Sequence, residues 1–200
     1  SAIFPGTQGG HGIADVIAGD YNPSARLVMS FPRNVGQIPI YYNQKNTGRP
    51  VDLADESIDY KSNYFDTSIT PLYPFGFGLS YTTFEINNVR LSKTSMMATN
   101  DSITVTAQVR NTGSRDGDLV AQLYIRDLVG STTRPVKELK GFEKVSLKAG
   151  EGRDITFNIA SEDLAFYGID MKKKTEPGKF KLWVSQNSMD NLNEMDFSVE

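Results

Sequence analysis

The stretch Tyr73–Phe84 reads YPFGFGLSYTTF and separates two regions of different character. Before it the sequence is rich in Gly, Pro, Asn and Tyr, and after it apolar and polar residues alternate almost to the C-terminus. Pro74 fixes its own φ, while Gly76 and Gly78 permit backbone angles that bulky residues resist. We therefore predict an aromatic strap that lies flat on a surface and is not a strand within a sheet. On composition alone, an ordinary domain linker is the alternative.

The region after this strap shows the period-two pattern of β-strands. Turn signals such as Asn111-Thr112-Gly113 and Pro177-Gly178 divide the alternating runs, and no long helical pattern interrupts them. This pattern indicates an antiparallel two-sheet sandwich of immunoglobulin-like type. Ser161-Glu162-Asp163 predicts an N-capped single helical turn. The residues predicted to point into the sandwich core are Ile103, Val105, Val109, Leu123, Ile125, Phe157 and Val184.

The opening segment Phe4–Arg33 predicts a glycine-rich loop, a short helix, a turn and a short strand. Ile13, Val16 and Ile17 fall on one helical face, and Gly19 suits a left-handed cap at the helix end. The short strand is predicted from the alternation of Leu27, Met29 and Phe31. One helix and one strand cannot bury both their apolar faces, so this piece must dock on something, and the chain offers it little surface.

Between Asn34 and Leu72 the sequence has little periodicity and many turn residues. A structureless connection this long is unusual in a compact domain, which favours either a functional role or a linker draped over a partner surface. The acidic stretch Asp52–Asp59 is predicted to be a mobile surface loop.

The bulk composition excludes several classes of function. A formal net charge of −3 with no basic block argues against nucleic acid as a partner, and a solvated turn explains Lys172-Lys173-Lys174. No apolar run is long enough to span a membrane. Because the chain has 0 cysteines, disulfides and thiolate metal sites are excluded. The chain begins at Ser1 without methionine or a signal peptide, so we expect a fragment.

A glycine cluster near the N-terminus, Gly6 to Gly12, invites comparison with phosphate-binding loops. Its spacing fits neither nucleotide fingerprint, no strand precedes it, and no Lys-Ser/Thr follows it. His11 is the single histidine of the sequence, and no carboxylate partner for it can be identified from the sequence. A helix-start residue explains His11 better than a general base does.

Several short motifs follow one another along the chain. They are Pro5-Gly6, Gly9-Gly10, Ile13-Ala14-Asp15-Val16, Gly19-Asp20, Asn22-Pro23-Ser24, Arg26-Leu27, Ser30-Phe31-Pro32-Arg33, VGQIPIYYNQKNTGRP, Asn63-Tyr64-Phe65-Asp66, the strap, and RPVKELKGFEKV at Arg134–Val145. These motifs and their order resemble the C-terminal part of family-three glycoside hydrolases, the beta-glucosidase-like enzymes. Bacterial periplasmic beta-glucosidases look most similar, and the resemblance covers nearly the whole chain. One departure is Gln8, where many relatives carry glutamate, but that residue is not expected to be the catalytic acid.

The resemblance implies a mainly β fold in three parts. These are the C-terminal tail of an α/β sandwich domain at 1–33, a long linker at 34–83, and a fibronectin type III-like antiparallel β-sandwich at 84–200. It also implies periplasmic or secreted localisation. The implied partners are the N-terminal barrel and the α/β domain of the same parent and, in the intact enzyme, beta-linked glucosides or oligosaccharides.

The resemblance places the catalytic machinery outside this chain. Retaining glycosidases need a nucleophile and an acid/base roughly 5 Å apart. In this family the nucleophilic aspartate lies on the barrel, and the acid/base glutamate lies upstream of the first motif found here. Helix packing, turn geometry and linker anchoring explain Asp15, Asp20 and Asp66, so we assign no catalytic residue, metal site or cofactor.

Two functional hypotheses remain. In the first, the chain is the C-terminal portion of such a hydrolase, supports its catalytic domains and is inactive alone. In the second, it is a stand-alone fibronectin-like binding or scaffolding module, which leaves the helix-strand piece and the long linker unexplained. Under the first hypothesis Asn46, Arg49 and Tyr64 are candidate substrate-binding residues at the active-site rim. The alternative is that they only fasten the linker to the domain beneath it.

Overall fold

The computed structural model describes residues 4–51 and 60–200, so the predicted loop Asp52–Asp59 lies outside the described residues. In the described part a single α-helix, α1 (Gly9–Ala18), precedes all the strands. Short 3-10 helices span Val35–Gln37 and Ser161–Leu164. The strands are β1 (Phe84–Leu91), β2 (Ser95–Met96), β3 (Ser102–Asn111), β4 (Gly117–Asp127), β5 (Glu138–Leu147), β6 (Gly152–Ala160), β7 (Phe166–Tyr167), β8 (Lys173–Lys174), β9 (Gly178–Ser185) and β10 (Glu194–Val199).

These strands form two stacked sheets. One sheet is three-stranded in the order β1-β3-β6, and the other is five-stranded in the order β2-β10-β9-β4-β5. β7 and β8 pair as a separate small hairpin. Neighbouring strands run antiparallel except for the short β2 beside β10. The predicted immunoglobulin-like sandwich is therefore confirmed.

The hydrophobic core lies between the two sheets. All seven predicted core residues belong to it, and none has a side chain more than 8% exposed. In β3, burial alternates from one residue to the next: Ile103 and Val105 are buried, while Thr104 between them is partly exposed. The rings of Phe180 and Phe197 stack in the same core with centroids 5.1 Å apart.

The middle of the five-stranded sheet, around β4 and β9, is buried on its second face as well. In β4, Gln122 and Tyr124 point away from the core residues Leu123 and Ile125, yet they are only 3% and 0% exposed. In β9, Trp183 pairs opposite Tyr124 and is also buried. The outer face of an antiparallel sheet is commonly solvated. Here another layer, made by the strap and the linker, covers it.

The strap runs beside the segment that follows the helix. The amide of Leu27 donates to the carbonyl of Phe77 at 2.8 Å, and the amide of Gly76 donates back to the carbonyl of Leu27 at 2.8 Å. Phe31 and Tyr73 form an isolated antiparallel bridge. No described residue from Tyr73 to Thr83 belongs to a strand, which confirms the prediction that the strap lies outside the sheets.

The predicted short strand over Leu27, Met29 and Phe31 is wrong, because this segment makes only the single bridge at Phe31. A strand needs a continuous partner that offers regular donors and acceptors. The strap is not such a partner: Pro74 lacks an amide hydrogen, and Gly76 adopts a left-handed φ of 81°.

The helix prediction is confirmed. α1 ends at Gly19, whose φ of 86° is left-handed and whose amide bonds to the carbonyls of Asp15 and Val16. No residue of α1 is buried, and Ile13 and Ile17 on its apolar face are 43% and 78% exposed. The described chain therefore leaves this face without cover.

The helical turn predicted at Ser161-Glu162-Asp163 is present, but its cap differs from a serine N-cap. Ala160 occupies the N-cap position and has no side chain that accepts a hydrogen bond. Instead the Asp163 carboxylate reaches back and accepts from the Ala160 amide at 2.9 Å. Ser161 lies inside the turn and is buried.

A buried glutamine organises the irregular linker. The Gln37 amide group donates to the carbonyls of Ser68 at 2.6 Å and Thr70 at 3.2 Å. Its oxygen accepts from the backbone amide of Arg33 at 2.5 Å. Side-chain bonds of this kind hold the two ends of the linker together, because the linker has no ladder of backbone bonds of its own.

Candidate functional site

Polar side chains of β4 hold the strap on the outer face of the sheet. The Gln122 side chain donates to the carbonyl of Gly76 at 3.1 Å and to the carbonyl of Gln186 at 2.7 Å. Its oxygen accepts from the Tyr124 hydroxyl at 2.5 Å. Burial raises the pKa of the Tyr124 phenol, so this group remains a donor. Every polar atom of the buried Gln122 side chain is thus satisfied.

Aromatic rings join the linker, the strap and the sheet. The rings of Tyr42 and Phe75 stack with centroids 4.2 Å apart. Tyr42 also meets Tyr124 edge to face at 6.0 Å. Its hydroxyl accepts from the backbone amide of Leu139 at 3.3 Å. The linker is therefore fixed to β4 and β5 as well as to the strap.

A buried lysine closes the far end of this layer. Lys137 is 5% exposed. Its ammonium group donates to the carbonyls of Ser188 at 2.9 Å and Asp190 at 3.1 Å, and to the side-chain oxygen of Asn191 at 2.8 Å. The same group lies 4.4 Å from the centre of the Trp183 ring, a cation–π distance.

The environment of Lys137 sets its chemical role. Burial lowers its pKa to about 8, while Asp190 and Glu194 act in the opposite direction. All three N–H donors of an ammonium group are used here. The ammonium group of Lys137 therefore holds the 188–191 loop in place, and it has no N–H donor left for a substrate.

A cleft of about 680 Å³ opens between the linker and this end of the sheet. The Glu194 carboxylate at its edge pairs with Lys181 and accepts from the Trp183 indole at 3.2 Å. Aromatic faces and polar groups together suit a small polar ligand or an apposed protein surface. The side chains of the lining that combine these properties are Tyr41, Asn46, Tyr64, Arg126, Lys181 and Glu194.

The structure brings together two of the three predicted rim residues. Asn46 and Tyr64 both line the cleft, while Arg49 belongs to the same loop but not to the lining. The Arg49 amide donates to the Thr47 hydroxyl at 3.3 Å, and its carbonyl accepts from the Ser62 amide at 2.9 Å. These backbone bonds close the loop, and the role of the three side chains stays a prediction.

The described lining of the cleft includes a single acid, Glu194. Retaining hydrolysis requires two carboxylates roughly 5 Å apart. The assignment of no catalytic residue to this chain remains a prediction.

Sequence reasoning missed Gln122, Tyr124 and Lys137. One signal was present, because the middle of β4 from Leu119 to Ile125 reads LVAQLYI, a run with no charged residue on either face. Such a run is typical of a strand covered on both sides. Lys137 lies in the motif RPVKELKGFEKV, but its burial cannot be read from the motif alone.

No helix among residues 4–51 and 60–200 has the length and apolar character needed to cross a bilayer.

Two family models match the chain. A model described as Glycosyl hydrolase family 3 C-terminal domain matches residues 1–81. A model described as Fibronectin type III-like domain matches residues 119–188.

Curated relatives resemble the chain over most of its length. A periplasmic beta-glucosidase of Salmonella typhimurium is 50% identical over 185 residues, which cover 92% of this chain and 24% of that protein. A beta-xylosidase of Formosa agariphila is 41% identical over 198 residues, covering 98% of this chain and 26% of that protein.

A solved structure shares the fold. The beta-glucosidase of Listeria innocua in complex with isofagomine superposes with a TM-score of 0.92 at 41% identity, covering 98% of this chain and 27% of that chain. The chain thus spans about a quarter of the length of the relatives that it matches.

Proposed function

Because the chain belongs to glycosyl hydrolase family 3, we propose that it is the C-terminal part of a beta-glucosidase-like hydrolase and supports the catalytic domains of that enzyme. The observation that carries this proposal is the match of residues 1–81 to the family's C-terminal domain, in a chain that spans about a quarter of its relatives. The nucleophile and the acid/base belong to the preceding barrel and α/β domain, which are the partners of this chain.

The layered construction supports a structural role. The strap and linker are fixed to the sheet by the buried Gln122 and by Tyr42, which stacks on Phe75 and accepts from the Leu139 amide. A linker fixed in this way forms a preorganised surface for a partner domain, because its position does not depend on that partner. The apolar face of α1, which no described residue covers, is a second surface open to a partner.

The proposed substrates of the intact enzyme are beta-linked glucosides or oligosaccharides. This choice follows the Salmonella typhimurium relative, a periplasmic beta-glucosidase, and the Listeria innocua beta-glucosidase structure. The Formosa agariphila relative is a beta-xylosidase, so a xyloside is the competing substrate. We infer a periplasmic or secreted location from the first relative.

A rim role for Asn46, Arg49 and Tyr64 is the finer part of the proposal. Asn46 and Tyr64 share the cleft beside the linker, and Tyr64 is exposed enough to meet another surface. Tyrosine offers a flat apolar face with a polar tip, while asparagine and arginine offer donors for sugar hydroxyls.

The second candidate is a stand-alone fibronectin-like binding or scaffolding module. The cleft of about 680 Å³ favours it, since that cleft is formed by this chain alone. The match of residues 1–81 to a hydrolase domain favours the first candidate, because a stand-alone module has no use for that segment.

The test starts with the DNA immediately upstream, read for an in-frame barrel with its nucleophile. The full-length protein is then assayed with an aryl beta-glucoside and the matching aryl beta-xyloside. We expect an upstream barrel and a higher kcat/KM on the glucoside. A gene without that barrel would contradict the proposed parent, and a preference for the xyloside would contradict only the substrate.

A further inference from the structure

Arg26 is a partly buried cation for which the described residues provide no acid. Its Nη1 donates to the carbonyl of Gly78 at 2.5 Å. Its Nε is sealed from water and makes no hydrogen bond to any described residue. Burial lowers the pKa of the guanidinium, and no neighbouring charge offsets that effect.

This arrangement is incomplete on physical grounds. A guanidinium has five N–H donors and no acceptor. Burying a charge is unfavourable unless it is paired and hydrogen-bonded. Arg134, another partly buried arginine, is paired with acids, since it lies 3.3 Å from Asp127 and 3.0 Å from Glu138. Arg26 lacks the carboxylate that Arg134 has.

The position of Arg26 is set by the backbone. The bonds between Leu27 and the strap place Arg26 directly against Gly78. A Cβ on residue 78 would lie 2.5 Å from the Ala25 carbonyl oxygen and 2.9 Å from Arg26 Nη1. Glycine is therefore required at residue 78 for the guanidinium to cross the strap at this point.

Two exposed apolar side chains lie close in sequence to Arg26 and Gly78. Val28 and Leu79, which follow Arg26 and Gly78 in sequence, are 82% and 73% exposed. The strap is tied to α1 by the Tyr81 hydroxyl, which donates to the Val16 carbonyl at 2.6 Å. Exposed apolar groups beside a cation are typical of a protein interface.

We propose that Arg26 receives a carboxylate from the part of the parent protein that precedes this chain. Val28, Leu79 and the apolar face of α1 form the docking surface around that ion pair. The planar guanidinium suits a carboxylate, because it can donate two parallel hydrogen bonds. This inference rests on the proposed function, since it requires a preceding domain.

The test compares Arg26→Met in the full-length protein and in this chain. Limited proteolysis of the strap reports how often the docked surface opens, because cleavage follows the open population when opening and closing are fast. In the full-length protein we expect Arg26→Met to speed strap cleavage about tenfold or more, as loss of a charge-assisted bond implies. In this chain alone the acceleration should be several-fold smaller, because only the bond to the Gly78 carbonyl is lost and no ion pair.

Arg153→Met is the matched control, since Arg153 is exposed on β6 and should leave both rates unchanged. Equal acceleration in both proteins would overturn the proposal, because Arg26 would then only fasten Gly78. Full-length cleavage no faster than in the control would overturn it as well. If Arg26→Met prevents the full-length protein from folding, Arg26→Gln gives the same comparison, because it removes the charge but keeps a polar side chain beside Gly78.

Failure of the proposed function is a separate result. It would appear as an unmodified full-length protein that hydrolyses no aryl beta-glucoside, whatever the proteolysis rates of its variants.

Discussion

Gln122 and Gly76 meet at the point where the strap is fastened to the five-stranded sheet. The Gln122 Nε2 lies 3.1 Å from the Gly76 carbonyl oxygen. A Cβ on residue 76 would lie 2.0 Å from Gln122 Oε1. This contact explains why the strap carries glycine there, and it links a turn signal of the sequence to the cover over the middle of a sheet face.

Replacing Gly76 with alanine should therefore be unfavourable for two reasons, a left-handed φ of 81° and a clash with Gln122. Gly150→Ala is the matched control, because Gly150 has a φ of 76° and nothing within 4 Å of an added Cβ. We expect Gly150→Ala to lower the free energy of unfolding by about 1–2 kcal/mol, and Gly76→Ala to lower it by a further ~1–3 kcal/mol. Urea denaturation of both variants measures this, and equal losses would contradict the account.

Leu123→Ala should lower the free energy of unfolding by about 2–4 kcal/mol, because Leu123 is 1% exposed in the core. Leu192→Ala removes the same atoms from a side chain that is 72% exposed. The control should lose less than about 0.5 kcal/mol in the same urea titration. A loss at Leu123 no larger than at Leu192 would show that the register of β4 is wrong.

The stability of the chain should rise with pH in a window set by Lys137. The pKa of Lys137 is about 8 in the folded chain against an ordinary value of 10.5. Between these values the unfolded chain binds more protons than the folded chain, so the free energy of unfolding increases with pH. Below this window Lys137 is protonated in both states and contributes no slope.

Lys137→Met should remove that increase, and Lys173→Met, at an exposed lysine, should keep it. Urea titrations from about pH 7 to about pH 10 measure both slopes against the unmodified chain. If the free energy of unfolding of Lys137→Met still increases with pH, groups other than Lys137 cause the increase.

Arg49→Ala in the full-length enzyme separates a rim role from a fastening role. A rim role predicts a loss of about tenfold or more in kcat/KM with nearly unchanged Tm, because a hydrogen bond from a charged group contributes about 1.5–3 kcal/mol. A fastening role predicts a lower Tm with intact kinetics. Unchanged kinetics would remove Arg49 from the site.

The sandwich could be predicted because its core depends on local alternation. Ile103 and Val105 face the core while their neighbours face outward, and period two reports that arrangement directly. The strand predicted at Leu27 was wrong because alternation says nothing about a pairing partner. The helix at Ile13 could be predicted, since spacing and a glycine cap are both local signals.

The covered face could not be predicted, because it depends on contacts between distant parts of the chain. Gln122 meets Gly76 across 46 positions, and Tyr42 meets Leu139 across 97. No motif shows that a polar residue in a strand will be buried by a linker. The unpaired Arg26 is hidden for the same reason, since its environment is made by Gly78 on another segment.

The most direct test of the central claim is an activity measurement on this chain alone. Purified chain and full-length protein, at equal molar concentration, are incubated with an aryl beta-glucoside, and release of the aryl group is followed. The account predicts turnover by the full-length protein and none by the chain, because it assigns the two carboxylates that hydrolysis requires to the preceding domains. Reproducible hydrolysis that co-purifies with the chain would contradict it and place a catalytic site within these 200 residues.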